Sequence, residues 1–292
     1  MKFSSAALLL LSLLATGATA NSFERKHIAA RQGPNTVSSQ HPADQTSAFN
    51  LTAWLVPITR AQAASMAGGK ALLRPTGLPS GFPIKKNEHL MLIVGGYMYD
   101  IRQFNLLSIP QLSIVQAYIP WVDGNNDGTT PYNYNVKGYL GQLVPSLVGN
   151  LLQGANSQPG IFDPAHAAYK AVGSSTLTFN VDLGLPNLID GPGLTTPVYI
   201  STFHRSKSTV LTVPFMRSVI EQPMIRSNEK NVCTKSMAFF NETFADTFHV
   251  RGDLQTFSTL TSSTLSFKNA QGISGTAQWI TPANGQPCSS FA

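Results

Sequence analysis

Along HLMLIVGGYMYDIRQF, which begins at His89, the side chains of an extended chain alternate between two faces. Leu90, Leu92, Val94, Met98, Asp100, Arg102 and Phe104 therefore share one side. A carboxylate and a guanidinium two residues apart on an otherwise apolar face form a charge-assisted pair. Such a pair is either a polar anchor for a ligand inside a barrel or a salt bridge at the rim of a sheet. The run YNYNVKGYLG, from Tyr132, splits by the same counting into Asn133, Asn135, Lys137 and Tyr139 against Tyr134, Val136, Gly138 and Leu140. Lys137 is then a solvated lysine or a lumen lysine, and in a lumen it supplies a charge or a proton to a ligand oxygen. With Asp100 and Arg102 it makes up the candidate catalytic set. Tyr97, Tyr99, Trp121 and Tyr139 are the candidate ligand-binding walls. Tyr97 and Tyr99 alternate to the face opposite Asp100, so only one of those two sets can point inward.

No other motif names a reaction. The chain has no G-x-S-x-G, no H-E-x-x-H, no phosphate-binding glycine loop and no paired cysteines at metal spacing, and its six histidines stand apart from one another. In WVDGNNDGTTPYNY, from Trp121, the residues Asp123, Asn125, Asp127 and Gly128 match the first half of a helix-loop-helix calcium loop. Tyr134 stands where the bidentate glutamate belongs, and Pro131 interrupts the exit helix. The expectation is a strand-to-strand loop whose Asp and Asn side chains cap turns, with no metal site and no cofactor.

The elements that must carry these residues are mostly strands. LTAWLVPI, from Leu51, reads as a strand, after which Thr59 caps a short helix, RAQAASMA, that stops at Gly68-Gly69. The long run from His89 reads as a strand bent at Gly95-Gly96, and further strands follow over 113–122, 132–141, 175–183, 196–204, 208–215, 248–257, 259–268 and 275–281. Helices are expected over 143–153, 163–172 and 214–225. The fold class is α+β, mainly β: a strongly curved or barrel-like antiparallel sheet with a few short helices.

The first residues, MKFSSAALLLLSLLATGATA, pair a lysine with a short apolar run and an A-x-A end, the pattern of a secretory signal peptide over 1–20. A polar leader is expected over 21–48 and a single β-rich domain over 49–292. Only 12% of the residues are charged, and the net charge of +6 is scattered rather than clustered, which gives nucleic-acid binding no support. No second apolar run is long enough to cross a membrane, so the expected partner is a small molecule and the expected location extracellular. In an oxidising compartment Cys233 and Cys288 form a disulfide by default, two buried thiols being the alternative. Asn50 and Asn241 open N-x-[ST] sequons and are candidate glycan acceptors. Arg251-Gly252-Asp253 reads as a polar turn rather than an adhesion signal.

AWLVPITRAQAASMA, the strand ending in Asp100-Ile101-Arg102, the turn DGTTPY from Asp127, VKGYLG from Val136 and FNETFA from Phe240 together resemble the secreted fungal branch of the acetoacetate decarboxylase-like superfamily, over Leu51 to Ile280. The resemblance implies a curved, barrel-like fold around an internal cavity for small carbonyl compounds, and a Schiff-base lysine whose pKa an adjacent lysine lowers. Here the only Lys-Lys dyad, Lys85-Lys86, precedes the long strand, and Leu143, Val144 and Pro145 occupy the region of the family's dyad. The resemblance thus points to a secreted protein that binds a small apolar carbonyl or polyketide-like compound. Two forms of that function stay open: a lyase, cyclase or isomerase of secondary metabolite biosynthesis, and a non-catalytic secreted ligand-binding or surface protein of the same fold.

Overall fold

The computed structural model describes residues 34–103, 107–142, 154–184, 195–240 and 247–292. The strands are β1 (Gln45–Thr59), β2 (Glu88–Gln103), β3 (Leu107–Asp123), β4 (Pro131–Leu140), β5 (Ser157–Pro159), β6 (Ile161–Asp163), β7 (Lys170–Val172), β8 (Thr176–Gly184), β9 (Thr195–Ser206), β10 (Met224–Ile225), β11 (Val232–Thr234), β12 (Met237–Phe240), β13 (Phe248–Thr256), β14 (Leu265–Thr281) and β15 (Gln286–Pro287). Helices α1 (Arg60–Met66), α2 (Val213–Ile220) and α3 (Ser258–Thr261) are short.

One sheet runs β4-β3-β2-β1-β14-β13-β9-β8-β6, and it closes on itself. β5 pairs with β4, Gly160 N–H donates to the Leu140 carbonyl at 2.8 Å, and β6 pairs with β8, so residues 157–163 form the seam of a barrel. Closure removes the open edges that a curved sheet would otherwise expose.

The near-continuous apolar character of LTAWLVPI follows from burial on both faces. Trp54, Val56 and Ile58 point inward with Ile93, Val115, Phe179, Tyr199 and Phe203, whereas Leu51, Ala53 and Leu55 point outward. The outer layer is covered by α2 and by residues near Phe82. α1 is capped as expected: Thr59 Oγ1 accepts from Gln62 N–H at 3.2 Å, and Gln62 Oε1 accepts from Thr59 N–H at 3.0 Å. Gly68 and Gly69 follow with φ of +64° and +75°, the left-handed stop that glycine tolerates.

Several expectations are corrected. β1 begins at Gln45, inside the stretch read as leader, and Asn35 is already docked: its Nδ2–H donates to Thr46 Oγ1 at 3.0 Å and to the Asp100 carbonyl at 2.8 Å. Residues 163–172 form no helix. Their chain lies across one end of the barrel, with Ala168 against Tyr97 and Tyr99, and Tyr169 edge-on to Phe203 and Phe248. Residues 208–215 form no strand, because Thr212 Oγ1 accepts from Phe215 N–H at 3.3 Å and caps α2, with Pro214 in its first turn. Arg251-Gly252-Asp253 is not a turn but part of β13, where Asp253 accepts from Lys268 Nζ at 2.7 Å and from Asn269 N–H at 3.0 Å. The helix expected over 143–153 lies outside the described residues.

Cys233 on β11 and Cys288 in the C-terminal turn are buried at bonding distance, S–S 2.00 Å and Cα–Cα 4.9 Å. Tyr132 reinforces this corner, its hydroxyl donating to the Cys288 carbonyl at 2.6 Å. Thiol titration of denatured, unreduced protein is expected to find no free thiol. Cys233→Ala with Cys288→Ala is expected to cost about 2–4 kcal/mol, since the bond closes a long loop in the unfolded chain. Two titratable thiols, or a double variant as stable as the parent, would contradict the pairing.

Candidate functional site: the inner wall of the barrel

Lys137 stands on the inner wall of the barrel, and a β-bulge puts it there. β3 and β4 pair as Tyr118↔Asn135 and then Ala117↔Lys137, so Val136 is an extra residue. The bulge breaks the alternation assumed from the sequence. Asn133 and Asn135 stay on the outer face, while Lys137 and Tyr139 align with Ala117 and Val115, which belong to the inner core. Lys137 is half-buried, and its Nζ lies 5.6 Å from the centroid of the Tyr139 ring, within cation–π range. Among the described residues no carboxylate pairs with it, and burial alone lowers its pKa. The Tyr139 hydroxyl donates to the Thr259 carbonyl at 2.9 Å, and burial pushes its phenol up to about 12. This end of the wall therefore offers one unpaired ammonium beside a neutral aromatic ring.

Tyr97 and Tyr99 also face inward, their rings tilted by 32° with centroids 6.4 Å apart, and pack with Ala168. The Tyr97 hydroxyl donates to Gln111, whose Nε2 lies 3.5 Å from His166 Nδ1. Of the two sets that could not both point inward, the tyrosines do.

Asp100 and Arg102 do not join Lys137. Asp100 adopts φ +48°, and two residues of β2, Asp100 and Ile101, oppose the single Ser47 of β1. Ile101 takes the outer-core position, and the pair turns to the rim. Arg102 Nε donates to Asp100 Oδ1 at 2.8 Å with the side chains 54% and 34% exposed, so the pair is a surface salt bridge of small energetic weight. Trp121 is likewise turned away. A bulge at Pro120-Trp121 with φ +53° seats its ring in the outer core, and its backbone N–H donates to Gln222 Oε1 at 2.9 Å.

The loop after Trp121 joins β3 to β4, as expected. Asp123 accepts from Asp127 N–H and Gly128 N–H, each at 3.1 Å, and Asp127 Oδ1 accepts from Thr129 N–H at 2.7 Å and Thr130 N–H at 2.8 Å. These backbone donors hold the Asp127 carboxyl well below its ordinary range. The Asp side chains of this loop cap its turns.

Two polar inner-wall residues escaped the sequence reading of the site. Counting back from Trp54 along β1, Thr52 and Asn50 share its inward face, paired across to Gly95 and Tyr97 and to Ser274 and Thr276. Thr52 Oγ1 donates to Ser274 Oγ at 3.1 Å, while Asn50 is half-buried. The period-2 signal was available, but the sequon drew attention to Asn50 as a surface acceptor. Asn50 thus sits on the inner face of a strand paired on both sides. Asn241 lies outside the described residues.

No protein-family profile and no curated protein matches this chain. Among solved structures it is similar to an acetoacetate decarboxylase, with 17% identity, a TM-score of 0.45 and coverage of 83% of this chain and 89% of that one. It is also similar to the enduracididine biosynthesis enzyme MppR complexed with pyruvate, with 13% identity, a TM-score of 0.46 and coverage of 85% and 91%. A third is an acetoacetate decarboxylase-like enzyme from Sphingomonas wittichii, with 8% identity, a TM-score of 0.48 and coverage of 84% and 94%.

Proposed function

We propose that this is an exported acetoacetate decarboxylase-like barrel protein that binds a small, fairly apolar carbonyl or polyketide-like compound against its inner wall, with Lys137 as the polar anchor. The observation that carries the reading is the unpaired, half-buried Lys137 ammonium beside Tyr139. A cation held partly out of water without a counter-charge is a cost to the fold, and an anionic or enolic ligand oxygen would offset it. Export is supported by the signal-like start and by the Cys233–Cys288 pair. Lys137 can stabilise an enolate or donate a proton, which would suit a lyase, cyclase or isomerase of secondary metabolism. The non-catalytic reading is favoured by a specific observation: Asp100 and Arg102 pair with each other on the rim, and burial alone shifts Lys137, with no charged base acting on it among the described residues.

Covalent chemistry by a Schiff base is not expected. Burial alone lowers the Lys137 pKa, and no second cation adds to that effect as a neighbouring lysine would. Borohydride reduction in the presence of acetoacetate is expected to leave the mass unchanged. A stoichiometric adduct on Lys137 would contradict this. Lys137→Met supplies a companion test. A lysine with a lowered folded pKa binds its proton more tightly when unfolded, so it destabilises the fold at neutral pH and the penalty fades as the pH rises towards about 10.4. The variant is expected to melt no lower than the parent while losing ligand binding. A melting point several degrees lower would mark Lys137 as a structural residue.

A further inference from the structure

Outside the barrel, between the sheet and α2, lies a pocket of about 30 Å³ lined by Leu92, Val94, Tyr118, Asn133, Ile220 and Trp279 among others. Asn133 is 3% exposed, and the orientation of its amide is fixed. Its Nδ2 lies 2.9 Å from the Val219 carbonyl, 3.2 Å from that of Ile220 and 3.2 Å from that of Gln222. Only the NH₂ end can face carbonyl oxygens, so Oδ1 must point the other way. That oxygen is buried and has no hydrogen-bond partner. Of the hydroxyls that line the pocket, Tyr118 donates to Gln116, Ser236 pairs with Thr281 at 2.9 Å, and Thr234 accepts from Arg226 Nε at 2.7 Å.

We infer that this pocket is a second binding site, distinct from the inner wall, for a small hydrogen-bond donor whose O–H bonds to Asn133 Oδ1. A water needs about 10–15 Å³ of such space, so the site takes about two waters or one short primary alcohol of about two or three non-hydrogen atoms. An acceptor left buried without a donor is costly, whereas an occupied one is not. Leu92, Val94 and Ile220 supply an apolar side that suits the alkyl end of an alcohol. The site makes no use of Lys137 and stands independently of the proposed function.

The test is methyl-labelled NMR of the full chain titrated with ethanol, together with water-to-methyl cross-relaxation in its absence. Saturable shifts of the Leu92, Val94 and Ile220 methyls, with the inner-core Val250 and Leu254 methyls unmoved, establish the alcohol. Val94→Phe should then weaken the response at least about tenfold, and Met224→Phe at the half-buried lip serves the same purpose if the first variant does not fold. No ethanol response, but cross-relaxation from long-lived water to the same methyls, establishes the water pair. Neither signal means that the Asn133 oxygen is unoccupied, and the inference fails.

Discussion

Gly96→Ala is expected to lower the unfolding free energy by at least about 3 kcal/mol, read as a large fall in the urea midpoint. A Cβ on Gly96 would lie 2.2 Å from the Asn50 carbonyl oxygen and 2.8 Å from Leu51 Cα. Both are backbone atoms of β1, which is paired to β2 on one side and β14 on the other and cannot retreat. A side-chain obstacle could swing away, but a central strand would have to move with its neighbours. Gly95 likewise lets the Phe179 ring approach across the lumen, its absent Cβ falling 2.9 Å from Phe179 Cε1. An alanine variant with the parental midpoint would mean that β1 and β2 do not approach as described.

Trp54→Ala should cost about 3–5 kcal/mol, the range for deleting a fully buried aromatic ring. Trp54 is 1% exposed, meets Phe203 edge-on with centroids 5.4 Å apart, and lies so close to β14 that a Cβ on Gly272 would fall 2.8 Å from its Cε3. The ring packs among inner-core side chains from several strands, so its removal leaves a cavity that the closed barrel cannot collapse. Trp54→Phe should recover part of the loss. Equal, small effects from both substitutions would show that the lumen around Trp54 is not packed as described.

Much of this architecture was legible in the sequence, because it rests on local rules. The apolar run around Trp54, the Thr59 cap with its Gly68-Gly69 stop and the β3–β4 loop all follow from residue types over a few positions. The candidate site was read less well, for one recurring reason. Period-2 counting assumes unbroken alternation, and bulges at Asp100-Ile101, Pro120-Trp121 and Val136 shift the faces of β2, β3 and β4. Each bulge falls next to a residue singled out for chemistry. Asp100 and Arg102 were thereby moved to the rim and Trp121 to the outer core, while Lys137 was separated from Asn133 and Asn135. Asp100 and Trp121 hold positive φ without being glycine, and nothing short-range in their sequence announces it. Thr212 and Pro214 show the converse. Their cap chemistry was readable, but an apolar β-branched run outweighed it in the strand assignment.

The central claim is that Lys137 is an unpaired inner-wall ammonium that meets a small carbonyl ligand. The most direct test is NMR of protein carrying [ε-¹³C]lysine, with Lys137 assigned from Lys137→Arg, titrated with pH and then with acetoacetate, pyruvate and 2,4-pentanedione. The account predicts that Lys137 loses its proton below the pH at which the exposed lysines titrate, near about 10.4, and that at least one of these compounds shifts its resonance saturably. Titration alongside the surface lysines, with no response to any of the three, would contradict it.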